Sequence, residues 1–328
     1  MDSKIVLSRK RFLNVSLLRG IACAGVLAVH IAIAMDLQGV VGSVLKYGAK
    51  GVYMFFILSG FLFAVSFYER GKKSSDILKD RMIHLLTLYY FFILIYFVVD
   101  TFFLHEAPLD SYHLGWMRYI FFLNVIFPQP EEFWYNIGMV WTIPVFAVSN
   151  IILSLSVTRI DNYKKALVFA FICTVFQLAS RFFSGWFSIV NYYLYFAAGL
   201  LIFFSIRETR EYQTITILIA FQILMLAAGK SISLYISIFA FCILIIATFH
   251  IPVPEGGLVE RIARWFDRYS YSVYLSQGLV FYYLIERIRG TVSPLLIGVL
   301  AFSLTMILSI SIHELYEKPL LMFLKKHL

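Results

Sequence analysis

The fold is decided by residues 17–34, which read LLRGIACAGVLAVHIAIA. Eighteen helical residues rise about 27 Å, close to the roughly 30 Å hydrocarbon core of a bilayer. Only two side chains of this stretch, Arg19 and His30, are charged or readily protonated near neutral pH. The stretch therefore predicts a membrane-spanning helix. Its two ionisable residues are candidates for function, because such groups are costly inside lipid.

The composition extends this prediction to the whole chain. Of its 328 residues, 61% are hydrophobic and only 14% are charged, whereas ordinary soluble domains have about 25% charged residues. So few charges cannot cover the surface of a soluble protein of this size, which excludes a cytosolic enzyme and a disordered chain. The three cysteines lie inside apolar runs and are odd in number, so no secreted disulfide scaffold is implied.

Ten stretches are apolar and long enough to cross a membrane, and they must be helical because open strands leave backbone groups unsatisfied in lipid. They lie at about 18–36, 48–68, 83–104, 138–158, 165–183, 189–205, 213–229, 232–250, 269–288 and 293–315. A further apolar stretch, 117–127, is too short to cross and is predicted to be interfacial or re-entrant. We therefore expect an all-α polytopic membrane protein, in which a single domain over residues 1–328 forms a bundle of about ten transmembrane helices.

Lysine and arginine are distributed unevenly between the two ends of these spans. Twenty lie at the end that includes both termini, and seven lie at the other. Cytoplasmic loops carry the excess of basic residues, so both termini are expected in the cytoplasm and the protein in the plasma membrane. The net charge of +9 comes from these short clusters, so nucleic acid is not a predicted partner. No metal-ligand spacing occurs in the sequence, and no metal site is predicted.

Arg19 and His30 are eleven residues apart in the first span, which places them on one helix face and about 16 Å apart along the axis. Arg19 is expected near the cytoplasmic mouth and His30 near mid-membrane. Two interpretations stay open. Arg19 reaches the headgroups and His30 makes an interhelical hydrogen bond, or both face a cavity in which His30 is a general base and Arg19 holds a phosphorylated donor.

Three further polar features lie within or beside predicted spans. The pair Ser59-Gly60 in the second span permits close helix packing or a kink. Arg81 and His84 share one face at the start of the third span, where they either follow the basic bias of that side or bind a ligand. Gln277 lies about 12 Å into the ninth span, where its amide either joins helices or binds a ligand.

Five segments together resemble the acyltransferase-3 family, the integral membrane O-acyltransferases. They occur in the family's order between residues 19 and 319: Arg19-Gly20-Ile21-Ala22 continuing to His30, Gly51 to Phe61, Trp141-Thr142-Ile143, Ser270-Tyr271-Ser272-Val273-Tyr274-Leu275, and Glu317-Lys318-Pro319. Each is weak alone, but the five in order are a strong signal.

The resemblance implies a bacterial enzyme that transfers an acyl group, usually acetyl, from cytoplasmic acyl-CoA to a hydroxyl of a glycan or other envelope molecule. Acyl-CoA is then a co-substrate, and no bound cofactor is expected. The resemblance implies that His30 is the catalytic histidine and that Arg19 contributes to the donor site, to which we add Arg81 and His84. The candidates for the cavity or the acceptor side are Ser59, Trp141, Tyr274 and Gln277.

The sequence departs from the family pattern at four positions. The second arginine of an Arg-x-x-Arg pair is His84, the proline after it is Thr87, a glutamate is replaced by Phe146, and a histidine is replaced by Gln277. These changes fit either an enzyme with a variant donor or acceptor, or a relative that has lost catalysis and transports a lipid-linked or free saccharide. The pair of Arg19 and His30 favours the enzyme, because a passage does not require it.

Overall fold

The computed structural model describes residues 9–104, 117–123, 140–180, 188–227, 232–251 and 256–327, and every regular element within them is helical. The first helices are α1 (Arg9–Ala34), α2 (Gly39–Lys46), α3 (Gly51–Ala64), α4 (Ser74–Val98), α5 (Met117–Ile120) and α6 (Thr142–Ser156). They are followed by α7 (Tyr163–Ser180), α8 (Ser188–Arg207), α9 (Glu211–Ala227), α10 (Ile232–His250), α11 (Leu258–Leu279), α12 (Glu286–Ile288), α13 (Pro294–Ile312) and α14 (Lys318–His327). π-Helical turns extend α3, α4, α11 and α13 over Val65–Glu69, Val99–Leu104, Val280–Ile285 and His313–Glu317.

Among the described residues, five helical segments have the length and apolar composition needed to cross a membrane. They are Leu13–Ala34, Gly39–Glu69, Ser74–Phe103, Thr142–Arg159 and Pro294–His327, and two shorter apolar helices lie at Tyr192–Arg207 and Ser237–His250. Each of the ten predicted spans coincides with a helix over at least part of its length. The prediction of an all-α membrane bundle is therefore confirmed, while ten crossings stay a prediction.

Helix α11 begins at Leu258, eleven residues before the predicted ninth span. The difference has a physical reason, because the first three turns of α11 are polar and carry no transmembrane signal. In these turns Glu260 forms an ion pair with Arg264 one turn later, which supports an exposed helix. The extension matters for function, since it places Asp267 beside the first span.

Helices α3 and α8 pack closely against each other. A Cβ on Gly60 would come within 2.1 Å of the Phe196 carbonyl oxygen, and one on Gly199 within 2.0 Å of the Ile57 carbonyl oxygen. Any larger residue at either position would push the two backbones apart. The packing interpretation of the Ser59-Gly60 pair therefore holds for Gly60, and this contact fixes the helix that carries Ser59.

The segment predicted to be interfacial or re-entrant, 117–127, is described only as far as residue 123. Its α5 turn packs against α4, where the Tyr90 hydroxyl donates to the Ile120 carbonyl oxygen at 3.2 Å and Tyr119 is buried. Its depth relative to lipid stays a prediction.

Candidate functional site

A cavity of about 400 Å³ lies between α1, α3, α4, α6, α11 and the C-terminal helix α14. Apolar residues such as Phe55 and Ile143 form much of its wall. The polar and charged residues that line it are Arg19, Ser59, Asp80, Arg81, His84, Asn150, Ser270, Tyr271, Tyr274 and Lys325. Five of the sequence-predicted site residues are thus brought together here: Arg19, Ser59, Arg81, His84 and Tyr274.

Arg81 is held in place by neutral oxygens. Its Nη1 donates to the Ser59 carbonyl oxygen at 3.1 Å, to Ser59 Oγ at 2.8 Å and to Asn150 Oδ1 at 2.6 Å. The guanidinium also lies 5.0 Å from the centre of the Phe63 ring, a cation–π distance. Because these partners carry no charge, they orient the guanidinium and leave its positive charge available to an anion.

Asn150 supplies the part of this arrangement that comes from α6. It is 1% exposed, and its Nδ2 donates to the Phe146 carbonyl oxygen at 2.7 Å, which turns Oδ1 toward Arg81. Phe146 lines the cavity and packs against Phe56 with ring centres 4.8 Å apart. The acid that the resemblance expects at position 146 is thus replaced by an aromatic wall, and one turn later an amide contacts Arg81.

His84 faces a buried carboxylate. Glu317 is 1% exposed and accepts hydrogen bonds from Ser272 Oγ at 2.6 Å, and its Oε2 lies 2.8 Å from His313 Nδ1. His84 Nδ1 lies 3.7 Å from the other oxygen of Glu317, and its ring centre lies 5.1 Å from that of Tyr271. The separation of 3.7 Å is too long for a hydrogen bond, so Glu317 acts on His84 through its charge.

Arg19 lies at the edge of the cavity and forms an ion pair with Asp267 of α11 at 2.9 Å. Its side chain is 26% exposed, so the guanidinium keeps access to the cavity mouth. Gly20, the next residue, packs so closely against Phe266 that an added Cβ would lie 2.6 Å from that ring. The contact between α1 and α11 therefore fixes the position of Arg19.

His30 is not among the residues that line this cavity. It is partly buried on α1, and its ring centre lies 5.6 Å from that of Phe281. Between Arg19 and His30 on α1 lie Cys23 and Val26, which are 0% and 2% exposed. The two ionisable residues of the first span thus lie on one helix, α1, but only Arg19 lines the cavity. Their joint role in one reaction stays a prediction.

Trp141 and Gln277 are also outside the lining residues. The Trp141 ring packs against Tyr192 at 4.9 Å and Phe56 at 6.4 Å, which is a wall contact. Gln277 is 0% exposed, and its Nε2 donates to the Tyr274 carbonyl oxygen at 3.0 Å. Gln277 therefore joins two consecutive turns of α11 directly behind a residue that lines the cavity.

Four site residues were not singled out from the sequence: Asn150, Asp267, Glu317 and Lys325. Asn150 could have been noticed as an amide in an apolar span, and Glu317 as the acid of a quoted motif. Asp267 and Lys325 carry no such signal, because they lie in polar stretches whose partners are distant in sequence. Within the described residues, no group of three or more His, Cys, Asp or Glu side chains is placed to hold a metal ion.

Comparison with known proteins identifies the family of this chain. The model of the acyltransferase-3 family, described as an acyltransferase domain, matches residues 12–314. No curated protein and no solved structure matches the chain. The match covers nearly the whole chain and includes every helix from α1 to α13, so it applies to the bundle that forms the cavity. The protein therefore belongs to the acyltransferase-3 family and is a membrane acyltransferase.

Proposed function

We propose that this acyltransferase moves an acyl group, acetyl in the simplest case, from cytoplasmic acyl-CoA to a hydroxyl of an envelope or surface glycan. The observation that carries the proposal is the cavity whose mouth and wall hold Arg19, Arg81, His84 and Lys325. Phosphate and pyrophosphate groups are bound by such clusters of guanidinium and ammonium groups. In the proposed reaction acyl-CoA is a co-substrate, and free CoA is released after the acyl group has been transferred.

Arg81 is the strongest part of the donor site. Its hydrogen bonds to Ser59 and Asn150 fix the guanidinium before a ligand arrives, which lowers the entropic cost of binding. The apolar wall formed by Phe55, Ile143 and Phe146 suits the acyl chain and the pantetheine arm. The cavity thus combines one apolar wall with a small number of placed polar groups, as small-molecule sites do.

His30 is the proposed general base. It accepts the proton of the acceptor hydroxyl while the hydroxyl oxygen attacks the thioester carbonyl carbon. The carbon–sulfur bond then breaks, the CoA thiolate leaves, and it takes up the proton from His30. Bases placed in this way accelerate a reaction by about 10²- to 10⁴-fold. The support for this step is the family membership and the position of His30 on the same helix as Arg19, about 16 Å further along.

The proposed orientation places the cavity mouth and both termini in the cytoplasm of a bacterial cell. The lining cations come from the first half of α1, the start of α4 and the end of α14, which are all on the basic side of the predicted topology. A reporter fused after Leu328 should be active only in the cytoplasm. A cysteine placed near Asp110, in a loop outside the described residues, should react with an impermeant reagent only from outside.

The function is tested by mass spectrometry of a purified preparation in lipid nanodiscs. Acetyl-CoA and a mixture of lipid-linked and free bacterial envelope saccharides are supplied, and free CoA and acetylated saccharide are measured together. The native protein should release one CoA for each acetyl ester formed. His30→Ala should reduce both products to the level without protein, while Lys326→Ala, at an exposed position outside the cavity, should leave them unchanged. Equal products with and without the native protein would refute the proposal.

A further inference from the structure

The C-terminal helix adds a cation to the cavity from beyond the matched family domain. The match ends at residue 314, and α14 runs from Lys318 to His327. This helix packs against α4 and against the π-helical turn that precedes it, and its Lys325 lines the cavity. Lys325 belongs to none of the motifs that carry the family resemblance, so the resemblance assigns it no role.

The two faces of α14 explain how Lys325 is held at the cavity mouth. Met322 and Phe323 are 61% and 59% exposed, and large apolar side chains on a basic helix are expected to insert into the lipid surface. Leu321 and Leu324 are partly buried on the other face. Lys325 follows Leu321 by one turn and is an exposed residue that lines the cavity, whereas Lys326 is exposed and does not line it.

Among the described residues, Lys325 has no partner in an ion pair. Within the described part of the chain, no carboxylate lies within ion-pair distance of its ammonium group. In contrast, Asp80 at the same mouth is bound to Lys72 at 2.9 Å. Arg19 and Arg81 line the same cavity as Lys325. The mouth is therefore a cationic surface that an anionic group can approach.

We propose that Lys325 binds the 3′-phosphate of the CoA donor, an inference that rests on the proposed function. A cavity of about 400 Å³ is near the lower end of ligand cavities, which range from about 300 to 1,000 Å³. It accommodates the acyl-pantetheine arm and leaves the nucleotide at the mouth, because the acyl end has to enter first. The 3′-phosphate is then the group farthest from the thioester. It carries a charge of about −1.5 to −2 at pH 7.

The test compares two ligands that differ only in this phosphate. Dissociation constants for CoA and dephospho-CoA are measured at low ionic strength in nanodiscs of zwitterionic lipid, so that no anionic headgroup competes for Lys325. The native protein should prefer CoA by roughly five- to tenfold, between the effect of an exposed ion pair and that of a charge-assisted hydrogen bond. Lys325→Ala should remove the preference by weakening CoA alone. Lys325→Arg should retain it, and Lys326→Ala should behave as native.

Each other outcome overturns the inference in a recognisable way. Equal weakening of both ligands by Lys325→Ala would mean a structural effect of α14. An equal loss of preference in Lys326→Ala would mean diffuse surface charge rather than one contact. Unchanged preference in Lys325→Ala would remove the residue from the donor site while leaving the proposed function intact. Failure of the native protein to bind CoA at all would overturn this inference together with the proposed donor.

Discussion

Arg81 and His30 are the two groups on which the proposed chemistry depends, and the structure surrounds them differently. Arg81 donates to oxygens of Ser59 and Asn150, from two other helices, and lines the cavity. His30 packs its ring against Phe281 and does not line the cavity. A cation held by several neutral acceptors is suited to bind the same anion in every cycle. The imidazole of His30 is partly buried beside an aromatic ring, so its proposed role as a base depends on the family membership.

This difference indicates that the side chains around Arg81 are already fixed by hydrogen bonds before substrate binds. At the proposed donor end, α3, α4 and α6 are joined through the Arg81 guanidinium, and Glu317 connects α11 with the turn before α14. These contacts cross helices, so the donor end is a single structural unit. Mutations there should therefore affect donor binding and stability together, whereas a mutation of His30 should affect the rate alone.

The largest expected effect belongs to His30→Gln. Glutamine keeps hydrogen-bonding capacity and approximate size but cannot accept a proton as a base, so the rate of acyl transfer should fall by about 10²- to 10⁴-fold. The dissociation constant for CoA and the melting temperature should stay near native values. Both are measured on the same nanodisc preparation as the rate.

Two results would contradict the proposed role of His30. A His30→Gln protein that acylates saccharide near the native rate would show that His30 is not the base. A variant that loses CoA affinity in proportion to its rate would place His30 in the donor site, contrary to its position away from the cavity lining.

Arg81→Ala should have the next largest effect, in binding rather than in rate. Removing a charged hydrogen-bonding group costs about 1.5–3 kcal/mol, which is roughly a ten- to hundredfold loss of CoA affinity. The melting temperature should also fall, because the buried side chain of Asn150 loses its partner. Arg81→Lys should give an intermediate affinity, since an ammonium group keeps the charge but cannot reproduce the guanidinium geometry. Native affinity in Arg81→Ala would show that Arg81 only joins helices.

Two substitutions of Asn150 distinguish the effect of Arg81's charge on CoA binding from the effect of its orientation. Asn150→Ala removes one hydrogen bond to Arg81 and should weaken CoA binding by about fivefold, equivalent to about 1 kcal/mol. Asn150→Asp keeps an acceptor but places a negative charge against Arg81 and loses the donor to the Phe146 carbonyl oxygen, and it should weaken CoA binding more than alanine does. Titration calorimetry of both variants gives the order. The reverse order would mean that orientation, and not available charge, determines donor affinity.

The sequence predicts most of the helices but only part of the candidate site. Apolar length and basic bias are local properties, so the spans and the residues Arg19, Ser59, Arg81 and His84 could be found without a structure. The contacts of Arg81 with Asn150 and of Arg19 with Asp267 join residues 69 and 248 positions apart. No local pattern encodes such pairs. The polar start of α11 and the short helix α14 were not predicted, because they are too polar to give a transmembrane signal.

The smallest expected effect is at His84, where the family has an arginine. An imidazole gains and loses its proton between about pH 5 and 8, whereas a guanidinium stays charged. The charges that face His84 are Glu317 from the turn before α14, Arg19 from α1 and Lys325 from α14, with His313 behind Glu317. His84 adds to the attraction of a donor anion only when its imidazole is protonated, so native CoA affinity should decrease as the pH rises through the range in which the imidazole loses its proton.

His84→Arg is expected to bind CoA within about threefold of native at a pH low enough to protonate the imidazole, because both residues are then cationic and Glu317 remains as the partner. At pH 8 the native imidazole is neutral and the arginine is not, so the variant should bind more tightly than native by a factor that grows with pH. The ratio of the two dissociation constants, measured across this range, cancels the ionisation of CoA itself. His84→Gln should lie parallel to the arginine variant but weaker at every pH, since neither side chain titrates. If all three curves run parallel, His84 keeps one charge state throughout. Native affinity equal to that of His84→Gln would then assign donor binding to Arg19, Arg81 and Lys325 alone.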